Sequence, residues 1–481
     1  MIEKNNLDDL SWLMPGQPFP PPCARHRLQN YRENKQLFED KHALVYEQQF
    51  KRIERIIGNF QEVVSYANVL NYQKLLTVKT ADLVFGEAPT VTVSDDSVQK
   101  EINSILLDTD FWHYMYISCV DLSRYGDTVI MHSPEGKLNV VPPSAWYPVV
   151  DTYDIRNFKY HAFCTLYMVD SGKEQYGLHT QIHCPSEPGK CDEQDYLLEG
   201  NPGAFKIGKP LKRQREVSVE TRLNTCPVYR ISNMLTSDRL FGLDDYRSVD
   251  SIISELMVRI SQISKVLDKH AAPSMTGPSS ALVCDQLTGE WRLKLGDYFP
   301  NDDPSVPPPQ YIVWDASFEA SFKQIELLIN QLYTISEMGS AIFGDLSNKT
   351  GEVPSGSALR RLMMSPLAKA RRIANRYDPV IKKLLSALLE IKGIKYSPAE
   401  ITVTWNDGLP ADPSEDAEIA NLRTGGKATL SQLTAIKRLD KMSDSDADAE
   451  LELILGDDIS ATVGSSPPDP ELTVLEDEDE Q

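Results

Sequence analysis

Two short stretches bring metal-binding or phosphate-binding residue types together. His179, His183, Cys184 and Cys191, in HTQIHCPSEPGKC, are soft-ligand types within thirteen positions, the kind of donors zinc takes. Their spacing fits no zinc-finger pattern. On a strand His179, Gln181 and His183 share one face and Cys184 points to the other, so an ordinary hairpin without metal is the expectation. Thr424-Gly425-Gly426-Lys427-Ala428-Thr429 superficially resembles a phosphate loop. No glycine precedes Gly426 by five residues, and Ala428 cannot supply a magnesium-bound hydroxyl, so a turn before a helix is expected. Neither G-x-S-x-G nor H-E-x-x-H occurs, and the acidic pairs Asp244-Asp245 and Asp302-Asp303 suit turns or caps. No active site is legible, no cofactor is implied, and the chain reads as a non-enzyme.

A different stretch has the composition of a moving part. Ser336 to Tyr377 reads SEMGSAIFGDLSNKTGEVPSGSALRRLMMSPLAKARRIANRY. A loop rich in Gly, Ser, Asn and Pro separates two periodic helices. Asn348, Lys349, Thr350 and Glu352 make it polar, and Gly339, Gly344, Gly351 and Gly356 give its backbone freedom. The residues alone allow a functional loop, a lid or a disordered insert. The helix beyond it carries Arg360, Arg361, Lys369, Arg371, Arg372, Arg376, Lys382 and Lys383. Such a cluster could touch DNA; the favoured reading is a face that salt-bridges to acidic neighbours, with Lys349 the better candidate for DNA.

These stretches need a large scaffold. At 481 residues and 54.1 kDa the chain should hold several subdomains. Its 41% hydrophobic and 25% charged content is that of a soluble globular protein. No apolar run approaches the ~20 residues of a membrane span. The start, MIEKNNLDDLSWLMPGQPFPPPC, lacks a signal-peptide pattern, so folding in a cytoplasm is expected. Seven scattered cysteines without CxxC argue for free thiols. The net charge of −21 is uneven: residues 398–481 hold 21 acidic against 5 basic side chains, whereas 355–392 hold 9 basic against 2 acidic. That balance opposes a DNA-gripping protein, because phosphate contacts need Lys and Arg; it is no obstacle to a conduit, which must pass DNA without holding it.

Periodicity places the elements. Residues 1–27, with their prolines, read as an extended arm. Leu28–Ile57 reads as a charge-rich helix, and Tyr72–Phe85 as a helix stopped by Gly86 and Pro89. Strands are expected at Thr128–His132, Leu138–Val141, Phe158–Val169 and Tyr176–His183. From Asp250 a helical stripe of Ile252, Leu256, Ile260, Ile263 and Leu267 runs to Ala271-Ala272-Pro273. Strands are expected again around Ala281–Cys284, Trp291–Leu295 and Tyr311–Val313. Asp315 can cap a helix whose stripe is Phe318, Phe322, Ile325, Ile329 and Leu332. Two such helices around a small β module form a projecting hairpin. Ser357–Lys392 would be one helix of ~54 Å, bent at Pro366 and Pro379. Ile401–Trp405 reads as a strand, Ala428–Leu439 as helical, and the last fifteen residues as disordered.

Three sequence words and their order carry a resemblance. They are the SG-x-AL helix start at Ser355–Leu359 after a small-residue loop, the NYQKLLTVKTADLVFGEAPTVTV segment with its Phe-Gly-Glu-x-Pro turn, and VVPPSAWYPVVD. Together, over roughly Leu28–Leu455, the chain resembles the siphophage-type portal proteins of tailed bacteriophages, the ring-shaped head-to-tail connectors. The resemblance implies an α+β, mainly helical portal fold. It divides the chain into an arm (1–27), wing (28–243), stem helix (244–270), β-containing clip (271–315), second stem helix (316–340), tunnel loop (341–356), long kinked helix (357–397), helical crown (398–460) and acidic disordered tail (461–481). It also implies a homo-oligomer, usually of twelve subunits, in the virion after assembly in the host cytoplasm. Its partners would be the major capsid protein, scaffold, terminase large subunit, head-tail adaptor and, without sequence preference, double-stranded DNA, with no membrane. The alternative from another class is an acidic scaffold or adaptor of a virion with no DNA channel.

Overall fold

The computed structural model describes residues 7–51, 55–57, 62–64, 68–170, 175–211, 218–220, 223–271, 275–276, 282–284, 291–293, 305, 310–311, 319–344, 360–406, 413–425, 428–439 and 444–463. The chain divides into two compact units, one of residues 1–353 with 359–408, the other of 354–358 with 409–481. Helices and sheets both contribute substantially to the first, as the α+β expectation requires.

Its main core is built by helices, of which Asp96–Asp108 and Phe111–Tyr125 are not among the elements expected from the sequence. Asp95 caps the Asp96–Asp108 helix by accepting from the amides of Ser97 and Val98, and Val98, Ile102 and Ile105 bury one stripe. In the Phe111–Tyr125 helix, Phe111, Met115, Cys119 and Leu122 are all fully buried at spacings of four and three. Against them lies the Met364–Ile391 helix, burying Ile373, Tyr377, Ile381, Leu384 and Leu388. The Tyr377 hydroxyl meets Ser118 Oγ at 2.9 Å, and its ring packs edge-on against Phe85 at 4.9 Å. Phe85 is the last residue of the Tyr72–Phe85 helix, capped by Asn71 and followed by Gly86 as expected.

Two antiparallel sheets complete this unit. A three-stranded one runs Val228–Ser232, Asp127–His132, Leu138–Val141. A seven-stranded one runs Pro18–Phe19, Phe205–Pro210, Lys190–Glu199, Gln175–His183, Phe158–Asp170, Trp146–Val150, with Ser218–Glu220 paired to Lys190–Asp192. The arm is therefore partly tied down: Pro18–Phe19 is an edge strand, and Trp12, Leu13 and Phe19 enter the sheet's core. Thr402–Thr404 pairs with Thr90–Thr92, tying the chain after the long helix to the strand that follows the Tyr72–Phe85 helix. Short ribbons pair Met275–Thr276 with Gln310–Tyr311 and Leu282–Cys284 with Trp291–Leu293. In the second unit the helices are Pro413–Thr424, Gln432–Leu439 and Asp444–Val463.

Three expectations need correction. Leu28–Ile57 is not one helix: it ends at Phe38, turns through Asp40 at φ +62°, and continues as short helices before Arg55–Ile57 forms a strand with Glu62–Val64. The β-branched Ile56-Ile57 pair suits a strand better than a helix interior. The long helix runs from Met364, so its 28 residues span about 42 Å rather than ~54 Å. Pro366 lies in its first turn, where no helical acceptor awaits an amide, so only Pro379 removes an interior bond. Asp315, Phe318 and the residues beyond Val463 lie outside the described residues.

At one crossing the backbones come close enough to exclude a side chain. Gly126, at φ +81°, ends the Phe111–Tyr125 helix, and its carbonyl accepts from the Asn233 amide at 2.8 Å. A Cβ on Gly126 would lie 2.6 Å from the Gly242 carbonyl oxygen. Gly126→Ala is expected to destabilise the fold by about 2 kcal/mol or more, seen as a lowered Tm in a thermal unfolding scan; an unchanged Tm would contradict the packing described.

Candidate functional site

The two amphipathic helices have one end each in the body. In Asp250–Ala271, Ile253, Leu256 and Met257 are fully buried, Ile252, Ile260 and Ile263 are partly so, and Leu267 is 55% exposed. Glu319–Ile335 runs the other way: Phe322 is 58% exposed, Ile325 and Ile329 are half-buried, and Leu332 is completely buried. Leu332, Ile253 and Met257 meet Leu37, Tyr46, Phe50, Leu76, Tyr246 and Met338 in one apolar cluster. The helices pack on each other and carry outward apolar residues toward the ends remote from this cluster, with Leu327 also 58% exposed.

Below Ile335 the chain turns sharply. Glu337 (φ +60°), Gly339 (φ +65°) and Gly344 (φ +86°) all take the left-handed conformation within eight residues. Phe343 stacks on Tyr333 at 5.0 Å and meets Tyr72 edge-on. Residues 345–359, with Asn348, Lys349, Thr350, Gly351, Glu352 and Gly356, lie outside the described residues. The chain returns close to where it left. A Cβ on Gly339 would sit 3.7 Å from the Leu362 carbonyl oxygen and 3.9 Å from the Pro366 ring.

This closure is fixed by charge. Lys369, only 4% exposed, pairs with Asp245 Oδ2 at 3.1 Å and lies 3.5 Å from the Ser336 carbonyl, just past the end of the preceding helix. A cation there satisfies a terminal carbonyl and complements the helix dipole. Asp245 also accepts from Ser123 Oγ at 2.7 Å and Asn233 Nδ2 at 2.9 Å, so the buried carboxylate is fully engaged. One turn along, Arg372 pairs with Glu337. The two cations, on the helix beyond the loop, thus hold the adjacent residues Ser336 and Glu337 of the segment before it. A cavity of about 340 Å³, lined by Asn233, Asp244, Arg247, Ile335, Glu337 and Arg372 among others, lies beside this grip.

The other basic residues divide. Arg376 donates to the Ser232 carbonyl at 3.1 Å, and Lys382 pairs with Asp378 at 2.8 Å. Arg360, Arg361, Arg371 and Lys383 are exposed. Nothing in local spacing reveals the Asp245–Lys369 pair, 124 positions apart, although Lys369 adjoins Ala370 on the helix's apolar stripe and is out of place there unless paired.

The His and Cys residues form hairpin pairs. His179 Nδ1 meets Asp195 Oδ1 at 2.8 Å, and His183 Nε2 faces Cys191 Sγ at 3.6 Å, each across the same strand pair. Cys184 contacts Ser186 instead. Burial lowers the pKa of His183 to about 4, keeping it neutral. Among the described residues no three His, Cys, Asp or Glu side chains converge as metal ligands. Gly425 follows the Pro413–Thr424 helix, and the amides of Thr429 and Leu430 return to the Arg423 carbonyl, a turn rather than a phosphate cradle. Gly426 and Lys427 lie outside the described residues, as do Asp302 and Asp303. Asp244 accepts from the Tyr246 and Arg247 amides as a turn residue should. No helix among the described residues is long and apolar enough to cross a membrane.

Comparison with known proteins settles the family. Residues 22–461 match the family described as "Phage portal protein, SPP1 Gp6-like". The chain belongs to the phage portal protein family. Its place is accordingly the virion, as expected. Similar solved structures include "Neck of native GTA particle computed with C12 symmetry", at 13% identity and TM-score 0.41, covering 88% of this chain and 95% of that one. Another is "Neck of empty GTA particle computed with C6 symmetry", at 11% identity and TM-score 0.44, covering 77% and 89%. No curated protein sequence matches significantly.

Removing one partner of the buried pair leaves an uncompensated charge. Lys369→Met should destabilise the protein by about 3–5 kcal/mol. Adding Asp245→Asn to it should cost less than the sum of the two single changes, by urea unfolding. Simple additivity would show that the pair is not coupled.

Proposed function

We propose that this portal protein closes into a ring, twelvefold as its family resemblance implies, around a channel for double-stranded DNA at one capsid vertex. The observation that carries the reading is the pair of packed helices with exposed apolar residues on more than one face. Leu327 follows Phe322 by five positions, about 140° around a helix, yet both are exposed. One partner surface cannot cover both, whereas flanking neighbours in a head-to-tail ring can. In this reading Asp250–Ala271 and Glu319–Ile335 belong to the stem, the ribbons between them to the clip that docks head-tail adaptors, residues 341–356 form the tunnel loop, and residues 398–460 form the crown. Capsid protein, scaffold and the terminase large subunit would contact the ring's outer surfaces.

Weak DNA affinity is the useful property of such a channel. Twelve copies at −21 give a ring charge of about −250, a field that discourages phosphates from adhering to the wall. Within the long helix, Lys369, Arg372, Arg376 and Lys382 are already engaged by the protein itself. In this reading Asn348, Lys349, Thr350 and Glu352 make brief, sequence-independent touches on a passing duplex, with Gly344 and Gly351 allowing the loop to change shape.

Size exclusion with light scattering should show a large oligomer; a folded protein that is monomeric at every concentration and salt would sink the ring. Shortening Asp345–Glu352 to a few glycines should leave rings and empty heads forming while DNA packaging or retention fails, because the feet of the loop are held independently of it. Lys349→Ala should act more mildly, removing one phosphate contact per subunit. Normal yields of DNA-filled particles from the shortened variant would place the loop away from the channel.

A further inference from the structure

The root of the Asp250–Ala271 helix holds a polar chain that neither the loop's grip nor the ring contacts use. Asp250 is the first residue of that helix. Its Oδ1 accepts from Tyr46 Oη and from Gln73 Nε2, both at 3.1 Å. Gln73 Nε2 also lies 2.9 Å from Tyr46 Oη, and its Oε1 faces His42 Nε2 at 3.2 Å. Gln73 and His42 are both completely buried, and the second ring nitrogen of His42, Nδ1, has no partner.

The charged side chains that act on Asp250 are themselves acidic. The Tyr72–Phe85 helix offers it only the neutral Gln73, and the segment at 42–50 offers Tyr46 with His42 behind it. From the Arg25–Phe38 helix Glu33 faces it, and from the turn before its own helix Asp244, both acidic. Among the described residues no lysine or arginine pairs with it. The two neutral donors favour the ionised form, but with no cation among the described residues to offset its burial beside two other acids, the carboxyl is better tolerated with its proton on.

We propose that Asp250, Tyr46, Gln73 and His42 form a proton-sensitive joint that seats the helix on the body most firmly when Asp250 is neutral. Burial pushes the Asp250 carboxyl up to about 6 from 3.8; the Gln73 and Tyr46 hydrogen bonds lower it, and Asp244 and Glu33 add to the rise. Because the folded value exceeds the unfolded one, the contribution is full below the unfolded value and is lost as pH rises through about 6. The joint is tight in mild acid and looser at neutral pH.

The test is local hydrogen exchange at residues 250–257 of the full-length protein between pH 5 and 7.5, corrected for intrinsic exchange. Wild type should lose protection by on the order of tenfold or more across this range. Asp250→Asn, a neutral isostere, should hold acid-level protection throughout, and Tyr46→Phe, which removes a donor to the carboxylate, should shift the loss to higher pH. His42→Asn should leave the transition in place. An Asp250→Asn profile that follows wild type, or a transition abolished by His42→Asn alone, would overturn the proposal.

Discussion

The buried pair between Lys369 and Asp245 is the contact on which the arrangement depends. It joins the long basic helix, the turn that follows the three-stranded sheet and the end of a projecting helix, three elements with no shared local sequence. Burying two charges is costly, and the cost is offset only because Ser123, Asn233 and the Ser336 carbonyl supply the remaining partners. A pair of this kind contributes less net stability than an apolar contact of equal size. It permits few alternative geometries, and so fixes where a long loop begins and ends.

The same pair changes the meaning of the basic helix. By count alone, residues 355–392 are the most DNA-like stretch of an acidic protein. In the fold, several of its cations are turned to internal use: one buried against Asp245, one on Glu337, one on a backbone carbonyl, one on Asp378 and one on Glu101, while Arg360, Arg361, Arg371 and Lys383 are exposed. In the ring proposed above, the net charge of −21 per subunit would centre a duplex by repulsion.

Much of the architecture was legible because periodicity and punctuation agree. The Tyr72–Phe85 helix, with Asn71 before it and Gly86 after it, and the stripes from Ile252 and Phe322 follow from local rules. The Phe111–Tyr125 helix did not stand out, because its aromatic and β-branched residues also suit strands, and only its packing on Tyr377 and Phe85 decides the matter. The break at Asp40 was equally hidden, since a charge-rich stretch carries no apolar register to interrupt. Long-range pairs such as Asp245–Lys369 leave no trace in spacing. The portal family is legible in three sequence words and their order, only one of them beside the loop, rather than in any chemistry of the loop residues.

The central claim is that identical copies of this chain enclose a channel, and an electron-microscopy projection of the purified protein tests it most directly. The account predicts annular particles with an open axial hole and rotational symmetry, the segment between Gly344 and Arg360 lying on the side of that hole. Compact particles without a hole, or a ring with that segment on its outer rim, would contradict it.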